Sequence, residues 1–407
     1  MRRFLALIGL FSLLPDAVLP AGPAAAEPRL VFGSPSGVAE IPFQLYGNHI
    51  YVRGRVGDSD SLWVVLDTGA SGASISASKA SSLRLPVQSG GTAHGAGGVV
   101  ESGLVRGATI RIPGLELQDQ MLSTLPLDGI ALQTGRTMDV IVGHALLSRA
   151  VVEIDYAARL LRITDPAKFR PPSNATSLPL TFKQNLPYTK ATIEVPGRKP
   201  IAGTFVLDAG AATALSLSPD LTEREKVLEA VPKTLRARGG GVGGQVETRV
   251  GRIDRLRLGP YAVERPVTTF RLPGPGGISA DGTAGNIGGD VLRRFDVTFD
   301  YGHQRMWLAP NSALGDPFEA DMSGLVTQML ADSTHGMKVL WLQDDSPAAE
   351  AGIAAGDVIE AVDGRSIDEA TPVGVREMFR KPEKTYQLTV RRGDERREVK
   401  LTTRRLI

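Results

Sequence analysis

No cysteine occurs in the 407 residues, so neither a disulfide framework nor a lipid-anchored cysteine is available. Stability must come from the apolar core alone. Histidine is also sparse. His49, His94, His144, His303 and His335 are scattered without the paired spacing that metal ligands need, so no metal or cofactor is expected. Net charge is small, at +2, which gives no global attraction to nucleic acid. Long apolar runs are missing too. Phe4 to Leu14 is too short to span a bilayer comfortably.

That short run has a different reading. Arg2 and Arg3 precede it, Pro15, Asp16 and Pro20 break it, and Ala24-Ala25-Ala26 stands before Glu27. The pattern predicts a signal peptide over 1–26. The expected location is periplasmic or secreted, in a bacterial source, with no membrane contact after cleavage. Gly (46) and Pro (27) are plentiful, which suits a turn-rich, mostly β protein of two or three domains.

Residues 27–38 read as a flexible leader. Two β-rich blocks follow at 39–165 and 179–309, with linkers at 166–178 and 310–318, and a last domain covers 319–407. The two blocks repeat each other. Leu66-Asp67-Thr68-Gly69-Ala70 is answered 141 positions later by Leu207-Asp208-Ala209-Gly210-Ala211. The Gly-rich stretch Ala93 to Gly98 is answered by Arg238 to Gly244. Ile141-Val142-Gly143 is answered by Asn286-Ile287-Gly288, and Val152 to Tyr156 by Val297 to Tyr301.

Each repeated aspartate ends an apolar run, Leu62 to Leu66 or Phe205 to Leu207. Such a run reads as a buried strand, and a carboxylate at its end is costly unless a partner shares its charge or proton. Two carboxylates brought together would hold one proton between them. The ionised one could activate water while the protonated one polarises a carbonyl. Asp155 and Asp300 also recur, but before hairpin turns, and are assigned to structure. The glycine after each catalytic candidate is expected to permit a tight turn.

With these motifs in place, residues 40–309 resemble the aspartic proteases, of the retropepsin-like type but with both lobes in one chain. The resemblance implies a closed β barrel in each lobe and Asp67 and Asp208 as the catalytic pair. It implies support from Thr68, Gly69 and Gly210, and flaps over an extended polypeptide substrate that include Gly95, Gly97, Gly241 and Gly243. In that family the hydroxyl residue after each aspartate locks the opposite loop. Thr68 can do so and Ala209 cannot, which predicts a looser dyad. A non-catalytic peptide-binding protein with a degenerate site is the alternative.

The last domain resembles PDZ domains. Ser346-Pro347-Ala348-Ala349-Glu350-Ala351-Gly352, Gly356-Asp357-Val358-Ile359 and Asp363-Gly364 occur in order and spacing. The resemblance implies an α+β fold that adds a peptide, often a free C-terminus, to a sheet edge at Gly324, Leu325 and Val326. The usual Gly-Leu-Gly-Phe loop is absent there. Two further patterns lack the context they need. Gly239 to Gly244 fits a nucleotide-loop spacing but precedes a strand, and Ser76 to Lys79 fits a β-lactamase motif without its companions.

Overall fold

The computed structural model describes residues 27–274, 282–330 and 336–407. The predicted signal peptide and His335 lie outside the described residues. Among those described, the chain is mostly β and forms four sheets.

Lobe 1 is organised around Leu62–Leu66, four of whose five side chains are buried. It pairs antiparallel with His49–Val56 and parallel with Val140–Val142. Val140–Val142 pairs on with Ala73–Ser76, and that strand with Leu115–Leu125. Leu115–Leu125 pairs with the long strand Gly98–Ile112, which returns to His49–Val56. The circuit closes, so these strands form a barrel with few open edges. Lobe 2 repeats it with two interruptions. The counterpart of Gly98–Ile112 is split into Gly244–Arg252 and Arg255–Leu258, either side of Ile253 and Asp254. The counterpart of Leu115–Leu125 is split into Tyr261–Glu264 and Val267–Arg271.

The two lobes are joined by a six-stranded sheet built from both. Val151–Asp155 of lobe 1 lies antiparallel to Phe295–Asp300 of lobe 2, with Glu153 opposite Thr298, its own counterpart in the repeat. An antiparallel pair of repeated strands in that register is what an approximate two-fold axis between the lobes requires. Asp155 and Asp300 hold turns, accepting from the N–H of Ala158 at 2.7 Å and of His303 at 3.1 Å. One continuous apolar core runs through both lobes.

Three boundary expectations are corrected. The leader expected to be flexible contains the strand Arg29–Phe32, paired along its length with Leu115 to Gln118. Its alternating Leu30 and Phe32 pack on the core, a pattern too short to stand out in sequence. The first linker ends in the strand Thr176–Pro179. The second linker is packed as well: Phe318 is buried, with the Arg294 guanidinium 3.6 Å from its ring centroid.

The C-terminal domain has its own core. Its sheet runs Leu325–Met329, Met337–Leu342, Val358–Val362, Thr385–Arg392, Glu395–Thr402, with Leu325–Met329 at one edge. Ser346 Oγ caps helix Pro347–Glu350, accepting from the Ala349 N–H. Asp363 and Gly364 make the turn with φ of 49° and 74°. The helix Pro372–Met378 packs beside the sheet.

The interlobe sheet yields a stability prediction. Phe299 is fully buried at its centre. Phe299→Ala should cost about 3–5 kcal/mol in urea unfolding followed by fluorescence. A loss under 1 kcal/mol would show that the shared sheet does not hold the lobes together.

Candidate active site

Asp67 stands just past Leu62–Leu66, and Asp208 ends Ile201–Asp208. Each is held by the parallel strand beside it. The Asp67 N–H donates to the Val142 carbonyl at 3.0 Å, and Asp208 lies opposite Gly288. The lobe interface brings the two carboxyl groups together, each against the glycine of the opposite triplet and each acting on the other's ionisation.

The third residue of each triplet has a reason the sequence did not show. Gly69 and Gly210 are not in the left-handed region. Instead, a Cβ on Gly69 would sit 2.6 Å from Asp208 Cγ, and one on Gly210 would sit 2.2 Å from Asp67 Cγ. Each glycine makes room for the opposite acid, so the expectation of a tight-turn glycine is replaced by one of close approach.

Thr68 is buried between the loops. Its Oγ1 donates to the Leu207 carbonyl at 2.8 Å and accepts from the Ala209 N–H at 2.8 Å. Ala209 offers no reciprocal hydroxyl. Two asparagines brace the loops from outside instead. Asn48 Nδ2 donates to the Ala212 carbonyl at 2.9 Å, across the interface, and Asn185 Nδ2 donates to the Ser71 carbonyl at 3.2 Å in the reverse direction. Both have φ of 65°, a conformation asparagine tolerates. Sequence reading missed them, although Asn48-x-x-Tyr51 and Asn185-x-x-Tyr188 form a further repeat.

Asn286 was also missed as a site residue. Its Nδ2 donates to Asp208 Oδ2 at 2.6 Å, where lobe 1 carries Ile141. The two acids therefore differ. Asp208 draws on Asn286 and on the backbone N–H groups of Gly210 and Ala211. Asp67 accepts from the Gly69 N–H at 2.7 Å. Burial and the Asp208 charge hold the Asp67 carboxyl well above its ordinary 3.8. The donors around Asp208 oppose the upward push of burial there. Burial raises both carboxyls, and the Asn286 amide favours the charge on Asp208, leaving Asp67 the favoured site of a proton.

The cleft walls follow the same repeat. In lobe 1, Tyr51, Val65 and Ile141 lie side by side across three strands and pack with Leu125, Leu127 and Met138. In lobe 2, Tyr188, Val206 and Asn286 form the matching row. The Gly-rich stretches form two hairpins, Gln88–Gly95 with Gly98–Ile112 and Leu235–Gly241 with Gly244–Arg252. Gly95 and Gly241 end their strands, and Gly97 and Gly243 lie in the tips. The tips touch: the Gly97 N–H donates to the Val242 carbonyl at 2.8 Å, and Arg271 Nη2 donates to the Ala96 carbonyl at 2.8 Å. Val242 packs against the lobe 1 cluster that includes Ile141. His94 is exposed on its flap strand. Among the described residues no group of three His, Asp or Glu converges as a metal site.

A paired-acid site between two β barrels defines an aspartic-protease-like class of architecture. Comparison with protein families agrees. Residues 52–145 match the family described as aspartyl protease, and residues 323–403 match the PDZ domain. The first match spans Asp67 and Val142 but ends within lobe 1, so the assignment of lobe 2 rests on the repeat and its geometry. No curated protein matches the chain.

Two predictions follow from the buried pair. Thr68→Val should leave the Ala209 N–H and the Leu207 carbonyl without their partner and cost about 1–3 kcal/mol in thermal unfolding. Stability should also depend on Asp67 ionisation. A carboxyl whose pKa is raised on folding favours the native state at low pH, and that advantage is lost as pH climbs from 3.8 through the raised value. Asp67→Asn removes the loss. It should match the parent near pH 3 and exceed it in melting temperature at pH 7; a parent as stable as the variant at both would contradict the proton assignment.

Proposed function

We propose that the chain is an aspartic-type endopeptidase that hydrolyses extended polypeptides with a water activated by Asp67 and Asp208. One observation carries this reading: a carboxyl group from each lobe, Asp67 half-buried and Asp208 buried, meets the other at the interface beneath two hairpins whose tips touch. The family match supports hydrolase chemistry at this site.

In the proposed reaction, the Asp208 carboxylate takes a proton from water, whose oxygen adds to the scissile carbonyl carbon. Asp67 gives its proton to the carbonyl oxygen, which yields a neutral tetrahedral diol. Asp208 then delivers the proton it gained to the amide nitrogen. The carbon–nitrogen bond breaks, and a diol hydroxyl returns its proton to Asp67. The pair is restored with the proton where it began. Thr68, Asn48 and Asn185 hold the loops that carry the acids, and the flap hairpins exclude water while the substrate lies extended beneath them. The N-terminal sequence pattern supports export, and the proposed substrates are then polypeptides outside the cytoplasm.

Cleavage of a peptide library by the protein, monitored by mass spectrometry, should be abolished by Asp67→Asn and by Asp208→Asn. Full activity in either variant overturns the dyad. Asn286→Leu should retain cleavage but move the acid limb of the kcat/KM profile upward by about one pH unit, because Asp208 loses a donor that favours its charge. An unmoved limb would remove Asn286 from the proton-placing role.

A further inference from the structure

The C-terminal domain presents Leu325–Met329 as an edge strand, the place where an added peptide strand would pair. The chain fills the neighbouring space itself. The lobe 1 helix Asp128–Thr134 lies against both Leu325–Met329 and the helix Pro372–Met378. Its half-buried Leu132 packs on the C-terminal domain's own core, the one residue from outside that domain among those described in the cluster. Arg376 on the groove helix donates to the Gln133 carbonyl. Pro372 Cδ lies 2.7 Å from where a Cβ on Gly135 would be.

The loop expected to receive a terminal carboxylate is already occupied. The Ser323 N–H and the Gly324 N–H both donate to Asp321 Oδ1, at 2.9 and 3.2 Å. The Leu325 N–H donates to Ser323 Oγ at 3.1 Å, and the Ser323 hydroxyl donates to Asp321 Oδ1 at 2.5 Å. Three consecutive backbone donors are spent on side chains of the same loop. A ligand carboxylate would meet another carboxyl group there in place of free N–H groups. Strand pairing along Leu325–Met329 and the apolar contact now made by Leu132 do not depend on those donors.

We propose that this groove docks an internal, extended stretch of polypeptide through an apolar side chain, not a free C-terminus, and that Leu132 of lobe 1 holds the place of that side chain until it is displaced. The occupant in the structure is itself internal and apolar. Displacement reaches the cleft, because Ile130 of the same helix packs on the Tyr51, Leu127 and Ile141 cluster. It reaches the second flap as well. Arg236 exchanges two hydrogen bonds with Gln343, and Arg238 Nη1 donates to Gln328 Oε1 of the edge strand at 3.0 Å. Docking at the groove is thereby coupled to the flap and wall that would enclose a substrate.

The test measures binding in full-length Asp67→Asn protein, so that it is independent of turnover and of the proposed protease activity. The probes are fluorescein-labelled Gly-Ser decapeptides with a central Leu, Val or Phe, blocked at both ends, and hexapeptides ending in the same residues with free or amidated termini. By fluorescence anisotropy, Leu132→Ala should bind the blocked decapeptides at least tenfold more tightly than its parent. Arg376→Ala, which spares the apolar packing, should shift affinity in the same direction by less. Free and amidated hexapeptides should bind alike. Tighter binding of the free carboxylates overturns the proposal, as does equal affinity, or absence of binding, in the parent and both variants.

Discussion

Two carboxyl groups brought together at the lobe interface, Asp208 buried and Asp67 half-buried, form the constraint on which this architecture depends. Neither could be buried alone as a charge without severe cost, and both together cannot be ionised. The protein resolves the conflict by geometry. Parallel strands fix the two loops, glycines at 69 and 210 let the acids approach, and Thr68 ties the loops from within. The interlobe sheet holds the halves in register behind them. Each element would be an ordinary piece of β structure elsewhere; here each limits how far the acids can separate.

Much of this was legible in the sequence because it was written twice. The apolar runs before Asp67 and Asp208, the Gly-rich hairpins and the Val-x-x-Asp-Tyr strands announced a duplicated lobe, and the C-terminal motifs announced a PDZ domain. What stayed hidden acts across space between residues with no shared pattern. Asn286 interrupts an apolar motif and reads as a mismatch until its amide is seen on Asp208. Asn48 and Asn185 look like turn residues because they are turn residues; their reach across the interface is a tertiary fact. The strand Arg29–Phe32 has only four residues, too few to show an alternation, so it read as a leader. Gly69 and Gly210 were noticed for the wrong property, freedom of φ instead of absence of a side chain.

The half-missing hydroxyl lock also changes meaning with the structure in view. Ala209 removes one hydrogen bond, and its N–H still reaches Thr68. The paired asparagines add two cross-lobe contacts that the threonine–alanine comparison left out. Rigidity at the site is shared among several modest interactions, so the loss of one need not open the pair. The same distribution links distant parts. A short helix, Asp128–Thr134, touches the cleft wall with Ile130 and the PDZ core with Leu132, which makes it a direct physical link between them.

The antiparallel pairing of Glu153 with Thr298 records a structure that is symmetric in outline. An assembly of two identical chains must carry every substitution on both sides of its axis. Here the halves are covalently continuous, so a substitution on one side is not copied to the other. Threonine can face alanine at 68 and 209, and isoleucine can face asparagine at 141 and 286. Continuity thus removes the degeneracy that symmetry imposes: the two acids need not be equivalent, and each side of the cleft can diverge on its own.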